Sequence, residues 1–271
     1  MKPAPFDYLR AGTLAEAHDV LAAEGSDTAV LAGGQSLVPL LSMRMARPKV
    51  LIDIMHLDAL GDIRIEDGAI RVGACVRQAD LLAWPELGMH QPLLAQALPW
   101  VGHWQTRARG TVCGSIALAD PSAELPLVLA ALGGEIVLSS KQGRRSVKAD
   151  DFFTGLMSTA RRDDELIESV SLPCRRAGEG YAFREFARRH GDFAIVACAA
   201  IAMEKTVRLA LGGVADRPAV RDFDDASDGA LAAFASELDA RDDLHATADY
   251  RRMLVRKLGA QVIAEAKACR A

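Results

Sequence analysis

The sequence predicts an α+β fold, in which a mixed helix-and-strand part precedes an antiparallel sheet and a helical C-terminal end. Three observations lead to this prediction. Helical and strand patterns alternate over the first third of the 271 residues, three strand patterns follow one another beyond residue 180, and helical patterns prevail from about residue 226. A charged, glycine-rich segment at 175–180 separates the two parts and predicts a domain boundary.

The first predicted unit ends near residue 56. Thr13 and Glu16 form a capping-box pattern, in which the Thr13 hydroxyl caps a helix and the Glu16 carboxylate bonds back to the Thr13 N–H. Gly25 is expected to end this helix, because glycine readily adopts the conformation found after helix C-termini. The other elements predicted for this unit are a strand at 28–32, a helix at 37–45 and a strand at 50–54.

The remaining elements follow from the same patterns. For the second unit we predict a strand at 70–74, helices at 78–82 and 123–132, and a hairpin over 135–147. Beyond the boundary, strands are predicted at 181–186, 194–203 and 206–213. The apolar run at 195–203 is far too short to cross a bilayer, so we interpret it as a buried strand and expect no transmembrane segment.

Composition and charge exclude several classes of function. A formal net charge of −4 gives no basic field for nucleic acid or an anionic membrane. The N-terminal residues lack the apolar core of a secretory signal, so a cytoplasmic protein is expected. The five cysteines and six histidines lack the spacing of a disulfide scaffold, a metal site or an iron–sulfur site. No metal is therefore predicted on this chain, and any redox cofactor must be organic.

Two segments of small residues carry the functional prediction. In each, a tight turn leaves backbone N–H groups open to an anion, with hydroxyl groups as additional donors. One such turn is structural more often than functional, whereas two in one chain can hold the two phosphates of a dinucleotide from opposite sides. The first segment is Ala32-Gly33-Gly34-Gln35-Ser36, and the second is Thr111-Val112-Cys113-Gly114-Ser115. Asp120 and Glu124, which follow the second segment, suit either sugar hydroxyls or helix capping.

These two segments belong to an ordered set of motifs over nearly the whole chain. The others are FDY at 6–8, LSMR at 41–44, VLIDI at 50–54, ADPSAELP at 119–126, FFTGL at 152–156 and AFREF at 182–186. The set closely resembles the FAD-binding medium subunits of molybdenum hydroxylases, which include carbon monoxide dehydrogenase and bacterial N-heterocycle and aldehyde dehydrogenases. The flavin segment of xanthine dehydrogenase is more distantly similar.

The resemblance implies a particular fold. Residues 1–175 would form a two-subdomain FAD-binding module of the vanillyl-alcohol-oxidase (PCMH) type, with subdomains at about 1–56 and 57–175. Residues 176–271 would form a C-terminal domain of the carbon monoxide dehydrogenase flavoprotein type, with three antiparallel strands and a helical bundle.

The resemblance also implies one non-covalently bound FAD and its contacts. Residues 32–36 and 111–115 would hold the pyrophosphate through backbone N–H groups and the hydroxyls of Ser36, Thr111 and Ser115. The remaining implied contacts are Glu124 at the sugar part of FAD, Leu166 or Ile167 as an apolar neighbour, Arg184 where some relatives have a Lys near the flavin, and Phe193 where some have a Tyr covering the ring. Ordinary apolar or surface roles explain these last positions nearly as well.

The sequence departs from the family pattern at two positions. Cys113 replaces the first glycine of the usual Gly-Gly, so its backbone must reach an angle that glycine adopts freely, or the segment is reshaped. Leu118 stands where many relatives have His. FAD binding is expected to survive both changes, with altered exposure of the ring. Cys113 is also a candidate reactive thiol, because Arg107 and Arg109 lie close in sequence.

The implied function is that of an oxidoreductase subunit. It would take electrons from [2Fe-2S] clusters on a small partner subunit, which receives them from molybdopterin on a large one, and deliver them to an external acceptor. A dimer of such heterotrimers is expected, with no catalytic side chain on this chain. Carbon monoxide, aldehydes, purines and N-heteroaromatics stay open as substrates of the large subunit, and oxygen, quinones, soluble carriers and NAD as acceptors.

Two other functions compete with this prediction. One is a self-contained FAD oxidoreductase that oxidises a small alcohol or aldehyde in its own pocket, for which His103 and Cys113 are the only nearby candidates for a base or a covalent flavin attachment. The other is a non-catalytic nucleotide-binding or assembly protein that shares the fold.

Overall fold

The computed structural model describes residues 2–224 and 226–270, which form three main sheets and a two-stranded ribbon. The first sheet is parallel, with the strand order β1-β3-β2. Its elements are β1 (Asp7–Arg10), α1 (Leu14–Glu24), β2 (Thr28–Leu31), α2 (Leu37–Ser42) and β3 (Val50–Asp53). The helices and strands predicted for this unit are confirmed to within three residues at each end.

The start of α1 differs from the prediction in one bond. The Thr13 hydroxyl accepts from the Glu16 N–H at 3.1 Å, as expected. The Glu16 carboxylate, however, accepts from the N–H of Gly12 at 2.7 Å and not from that of Thr13. The long Glu16 side chain reaches one residue further back than expected, so it accepts from the backbone N–H of Gly12 in place of that of Thr13.

The second sheet is antiparallel, in the order β4-β5-β10-β6-β7. Its strands are β4 (Ile63–Glu66), β5 (Ala69–Gly73), β6 (Glu135–Ser140), β7 (Gly143–Lys148) and β10 (Leu166–Pro173), and β8 (Phe153–Gly155) and β9 (Ser158–Thr159) form the ribbon. The predicted hairpin is confirmed as β6 and β7. The helices are α3 (Gln78–Ala83), α4 (Leu87–His90), α5 (Pro92–Ala97), α6 (Trp104–Arg107), α7 (Val112–Leu118), α8 (Glu124–Leu132) and α9 (Ala149–Phe152). Of these, α4, α5, α6, α7 and α9 were not predicted.

The third sheet has four strands, in the order β11-β12-β13-β14, and not the three that were expected. The strands are β11 (Gly180–Phe186), β12 (Val196–Ala202), β13 (Val207–Gly212) and β14 (Ala219–Phe223). The unexpected β14 is an edge strand in which only Phe223 is buried, and its sequence, AVRDF, lacks the alternation of apolar and polar residues that indicates a half-buried strand. In place of the expected helical bundle, the described residues form a pair of helices, α10 (Asp228–Glu237) and α11 (Ala248–Ala268).

Every residue of β12 is buried, because apolar groups cover both faces of the third sheet. One face contributes Ala197, Ala199 and Ile201 to the core that also holds the first two sheets. The other contributes Val196, Cys198 and Ala200 to a second core beneath α10 and α11. A strand buried on both faces has no polar alternation, so the apolar run 195–203 is confirmed as a buried strand.

Candidate functional site

A cavity of about 550 Å³ opens where the first two sheets meet the segment that joins β11 to β12. Its volume lies within the range typical of small-molecule and cofactor sites. Both small-residue segments line it, although they are about eighty residues apart in sequence. The lining includes all the predicted binding residues except Val112 and Arg184.

The first segment packs directly against the backbone of Arg109 and Gly110, which precede the second. A Cβ added to Gly33 would lie only 2.1 Å from the carbonyl oxygen of Arg109 and 2.7 Å from the Cα of Gly110. Glycine is therefore required at position 33 by contact with another part of the backbone. Gly34 has φ of +73°, a conformation that side-chain-bearing residues adopt at a cost. The turn is thus fixed by two glycines for two different reasons.

The first segment also exposes backbone donors to the cavity. Within residues 2–224 and 226–270, the N–H groups of Gly34, Gln35 and Ser36 have no backbone acceptor. The Ser36 side chain stands at the start of α2 but makes no capping bond. Three N–H groups and one hydroxyl are therefore available to an anion at this wall.

The second segment is the beginning of a helix and not the tight turn with open N–H groups that the sequence predicted. The Thr111 hydroxyl accepts from the Gly114 N–H at 3.0 Å and caps α7. The Val112 N–H donates to the Val76 carbonyl at 3.1 Å, and the Ser115 N–H donates to the Thr111 carbonyl. Three of its five N–H groups are already bonded, so this wall offers an anion fewer donors than the first.

Cys113 fits its position without strain. It lies inside α7 and is not among the described residues with positive φ, so no glycine-like angle is needed there. Its thiol is buried 3.6 Å from the carbonyl oxygen of Val72, and burial raises its pKa well above the ordinary value. A reactive thiol needs a lowered pKa and access to solvent, so the structure argues against that role.

Two acidic residues stand at the start of α8. The Asp120 carboxylate accepts from the Ser122 N–H at 2.9 Å, which is a local turn role. Glu124 is the first residue of α8, lines the cavity and is only 4% exposed. Burial raises the pKa of its carboxyl group to about 7. A neutral or shared-proton carboxyl of this kind can accept from, or donate to, a hydroxyl of a ligand.

The other predicted contacts divide into two groups. Leu166, Ile167 and Phe193 line the cavity, and Phe193 is 60% exposed at its edge. Arg184 does not line it. The Arg184 guanidinium pairs with the Glu265 carboxylate of α11 at 2.5 Å, on the side of β11 that faces the second core. Strand alternation puts its neighbours Phe183 and Glu185 on the cavity side instead.

Gln78 and Arg161 are among the polar residues of the lining that sequence reasoning missed. The Gln78 side chain is buried, and its Oε1 has no hydrogen-bond partner among the described residues. Arg161 donates to the carbonyl of Glu165 at 2.7 Å, which fixes its position beside the cavity. Neither residue belongs to a local motif, so only the fold brings them to the site. Arg107 and Arg109 lie nearby, but the Arg107 guanidinium donates to the carbonyls of Pro99, Val101 and Gly102 and is structural.

Among residues 2–224 and 226–270, no group of three or more His, Cys, Asp or Glu side chains is arranged to hold a metal ion. No helix in the same ranges is both long and apolar enough to cross a membrane.

The sequence and the fold both have known counterparts. A family model described as "FAD binding domain in molybdopterin dehydrogenase" matches residues 4–175. The nicotine 6-hydroxylase medium subunit of Paenarthrobacter nicotinovorans is 37% identical over 99% of both chains. The carbon monoxide dehydrogenase medium chain of Hydrogenophaga pseudoflava is 36% identical over 79% of this chain and 77% of the relative.

Two solved structures share the fold of this chain over its whole length. A chain of carbon monoxide dehydrogenase from Hydrogenophaga pseudoflava superposes with a TM-score of 0.94 at 32% identity, covering 100% of both chains. A chain of quinoline 2-oxidoreductase from Pseudomonas putida 86 superposes with a TM-score of 0.90 at 33% identity, covering 99% of both.

Proposed function

This chain belongs to the FAD-binding family of the molybdopterin dehydrogenases and is a medium subunit of the molybdenum hydroxylase type, and from that premise we propose that it relays electrons. It takes them from iron–sulfur clusters on a small partner subunit and passes them through FAD to an external acceptor. Molybdopterin lies on a large partner subunit, where the organic substrate is oxidised. The relatives named as medium subunits or chains of larger enzymes support this division of work.

One observation carries the proposal: the cavity wall at Gly33, Gly34 and Ser36. The bare backbone of Gly33 packs against Arg109, and the next three residues line the cavity with N–H groups that have no backbone partner among the described residues. Such a turn suits a pyrophosphate, which needs close approach and several donors. The residues present therefore fit an FAD held without a covalent bond.

The other predicted residues have distinct parts in this proposal. The Cys113 N–H and the Ser115 hydroxyl complete the phosphate contact from the second wall. Glu124 bonds the sugar part, and Leu166 with Ile167 supplies an apolar surface. Phe193 covers the edge of the cavity and limits access of water. FAD itself supplies the electron-accepting and electron-donating chemistry, whereas the protein binds and orients it.

We propose that the chain divides into a FAD-binding domain of the vanillyl-alcohol-oxidase type at 1–175 and a C-terminal domain at 176–271. The parallel and antiparallel sheets of the first part support two subdomains, at about 1–56 and 57–175. A dimer of heterotrimers in the cytoplasm completes the proposed assembly. The C-terminal domain packs its sheet against the cavity side and contributes Gly191, Asp192 and Phe193 to the lining.

The self-contained oxidase is disfavoured by the residues around the cavity. No histidine is part of the lining formed by the described residues. The His103 ring lies against Gly191 without itself lining the cavity, and it borders an adjoining shallow depression with Trp104 and His190. Cys113 has a buried thiol with a raised pKa. Neither former candidate is therefore placed to act as a base or to attach the flavin.

An anaerobic reduction experiment tests the relay. The purified chain with bound FAD is mixed with aldehydes, heterocycles and alcohols, and flavin bleaching is followed by absorbance. We expect no reduction by these compounds, reduction by dithionite, and reduction by the substrate of the complex only when cluster-containing partners are added. Rapid bleaching by one organic compound in the absence of partners would overturn the relay.

A second measurement tests the binding mode. Acid denaturation is expected to release intact FAD into the supernatant, with one FAD per chain. Flavin that stays with the precipitate, or FMN alone in solution, would contradict the proposal.

A further inference from the structure

We propose that Glu124, in the wall of the cavity, and the buried Glu185 form a proton-holding carboxyl pair, and that the pair takes up a proton when FAD binds. This inference rests on the proposed function, because it needs FAD in the cavity lined by Glu124. It adds a role for Glu185, which lies in the AFREF motif at 182–186 but was given no role there.

Glu185 is the least expected member of the pair. It lies on β11, where it faces the first core together with Phe183, and it is only 9% exposed. Both of its carboxyl oxygens are inaccessible to solvent and have no hydrogen-bond partner among the described residues. A buried carboxylate without a partner is very costly, so the group is stable there only in its protonated form.

The fold brings the start of α8 over the row of residues that contains Glu185. Across the sheet, Glu185 is paired with Ala197, which is paired with Gly212. A Cβ added to Gly212 would lie 3.3 Å from the carbonyl oxygen of Pro121, and the Gly213 N–H donates to that oxygen at 2.8 Å. Pro121 is three residues before Glu124, so Glu124 follows a segment that packs on the β13 end of the row whose β11 end is Glu185, and the charge of Glu124 raises the pKa of Glu185.

The positive charge near the two acids is outweighed, because Arg107 lowers the pKa of the Glu124 carboxyl less than Asp120 raises it. Neither acid takes part in an ion pair within the described ranges. On the cavity side, Asp120 adds negative charge near Glu124, and the nearby Arg107 is bonded to three carbonyls. From α5, the neutral Gln96 amide bonds the backbone of Tyr181 and Phe183.

The elements on the other side of β11 do not compensate either. β12 presents Ala197 to Glu185. On the far face of the strand, the charge of Arg184 is matched by Glu265 of α11. Glu124 is thus the charged group that raises the pKa of Glu185, whereas the pKa of Glu124 itself is influenced by the charges of Asp120 and Arg107.

Burial, together with the charge of the other acid, raises the pKa of Glu185 to about 8, and burial raises that of Glu124 to about 7. Because the groups interact, these values belong to the pair, which holds at least one proton at neutral pH. A bound pyrophosphate adds negative charge near Glu124 and stabilises the protonated form further. By linkage, FAD binding must then be accompanied by proton uptake.

Calorimetric titration tests this coupling. The full chain, freed of flavin, is titrated with FAD at pH 8 in buffers of different ionisation enthalpy, and the buffer dependence of the heat gives the number of protons taken up. We expect about half a proton per FAD, which corresponds to an affinity that falls about threefold per pH unit near pH 8. Glu185→Gln should reduce the uptake to the smaller share that Glu124 alone contributes, while FAD still binds.

Glu237→Gln is the matched control. Glu237 is an exposed carboxylate paired with Arg221 in the C-terminal part, so its replacement should leave the uptake unchanged. Binding of FAD by the wild-type chain without proton uptake would overturn the carboxyl pair and leave the proposed function intact. Failure of the wild-type chain to bind FAD would instead overturn the proposed function.

A spectroscopic measurement needs no variant and covers the case in which Glu185→Gln fails to fold. The infrared difference spectrum on FAD binding should gain a band of a protonated carboxyl group that shifts in deuterium oxide. Absence of this band at pH 8, with FAD bound, would count against the pair.

Discussion

The two segments that line the cavity look alike in sequence but are built on different physical requirements. At 32–36, the glycines are needed for their backbone: one position touches another chain segment and the next has positive φ. At 111–115, the Thr111 hydroxyl shapes the segment by capping a helix, and a buried cysteine is accommodated within the first turn. A pattern of small residues therefore indicates close approach in one case and helix initiation in the other.

This difference predicts unequal tolerance to substitution. Where an atom would collide with rigid backbone, the chain must move or lose its ligand. Where a side chain caps the start of a helix, its removal costs only the free energy of one capping hydrogen bond. Variants at 33, 111 and 113 separate the two cases, because their expected effects on FAD affinity decrease in that order.

Gly33→Ala should have the largest effect. The new Cβ would lie 2.1 Å from the Arg109 carbonyl oxygen, so the two walls must separate. We expect FAD affinity to fall at least about 100-fold, or ~3 kcal/mol. Fluorescence titration with FAD measures it. Gly88→Ala is the control, because a Cβ at that position meets nothing within 4 Å. Normal FAD affinity in Gly33→Ala would show that the close approach is unimportant for binding.

Thr111→Ala should have an intermediate effect. Loss of the bond to the Gly114 N–H removes a helix cap, which costs about 1 kcal/mol of the free energy of unfolding. FAD affinity should fall less than about tenfold, ~1.4 kcal/mol, because the hydroxyl is already engaged. Urea unfolding and FAD titration measure the two quantities, and Thr111→Ser should restore both. A loss of affinity as large as that of Gly33→Ala would instead identify the Thr111 hydroxyl as a direct phosphate ligand.

Cys113→Gly should have the smallest effect on the cofactor, although it restores the glycine usual in the family. Position 113 is helical, so Gly should lower the free energy of unfolding by about 1 kcal/mol relative to Cys113→Ala. FAD affinity should differ by less than about threefold, ~0.7 kcal/mol, between the two variants. A marked gain in affinity with Gly would mean that Cys113 restricts the segment after all.

The pH dependence of the free energy of unfolding tests the charge state of the buried Glu185. The folded-state pKa of Glu185, about 8, lies above that of an unfolded-state glutamate. The folded chain therefore binds more protons than the unfolded chain between those two values, and stability falls as pH rises through about 8. In flavin-free protein, Glu185→Gln should make the fall between pH 6 and 9 shallower, as measured by urea unfolding. An unchanged slope would indicate that Glu185 is ionised in the folded state.

Much of the fold could be predicted from local patterns. The hairpin of β6 and β7, the helix α1 and the fully buried β12 each have a signal within one short stretch of sequence. The family was also indicated by the ordered motifs, and the matched family model and full-length structural counterparts confirm it. Patterns that repeat within a few residues are set by local geometry, so they can be recognised before any tertiary contact is known.

Other features are decided only by contacts between distant residues. The conformation of 111–115 as a helix start depends on packing against Val76 and Val72, and β14 forms because β13 offers it an edge. The side of β11 on which Arg184 lies follows from the sheet between the two cores. Likewise, the sequence contains no sign that Glu185 is unpaired beside Glu124. A residue's charge state and its partners depend on burial, and burial is a property of the folded chain as a whole.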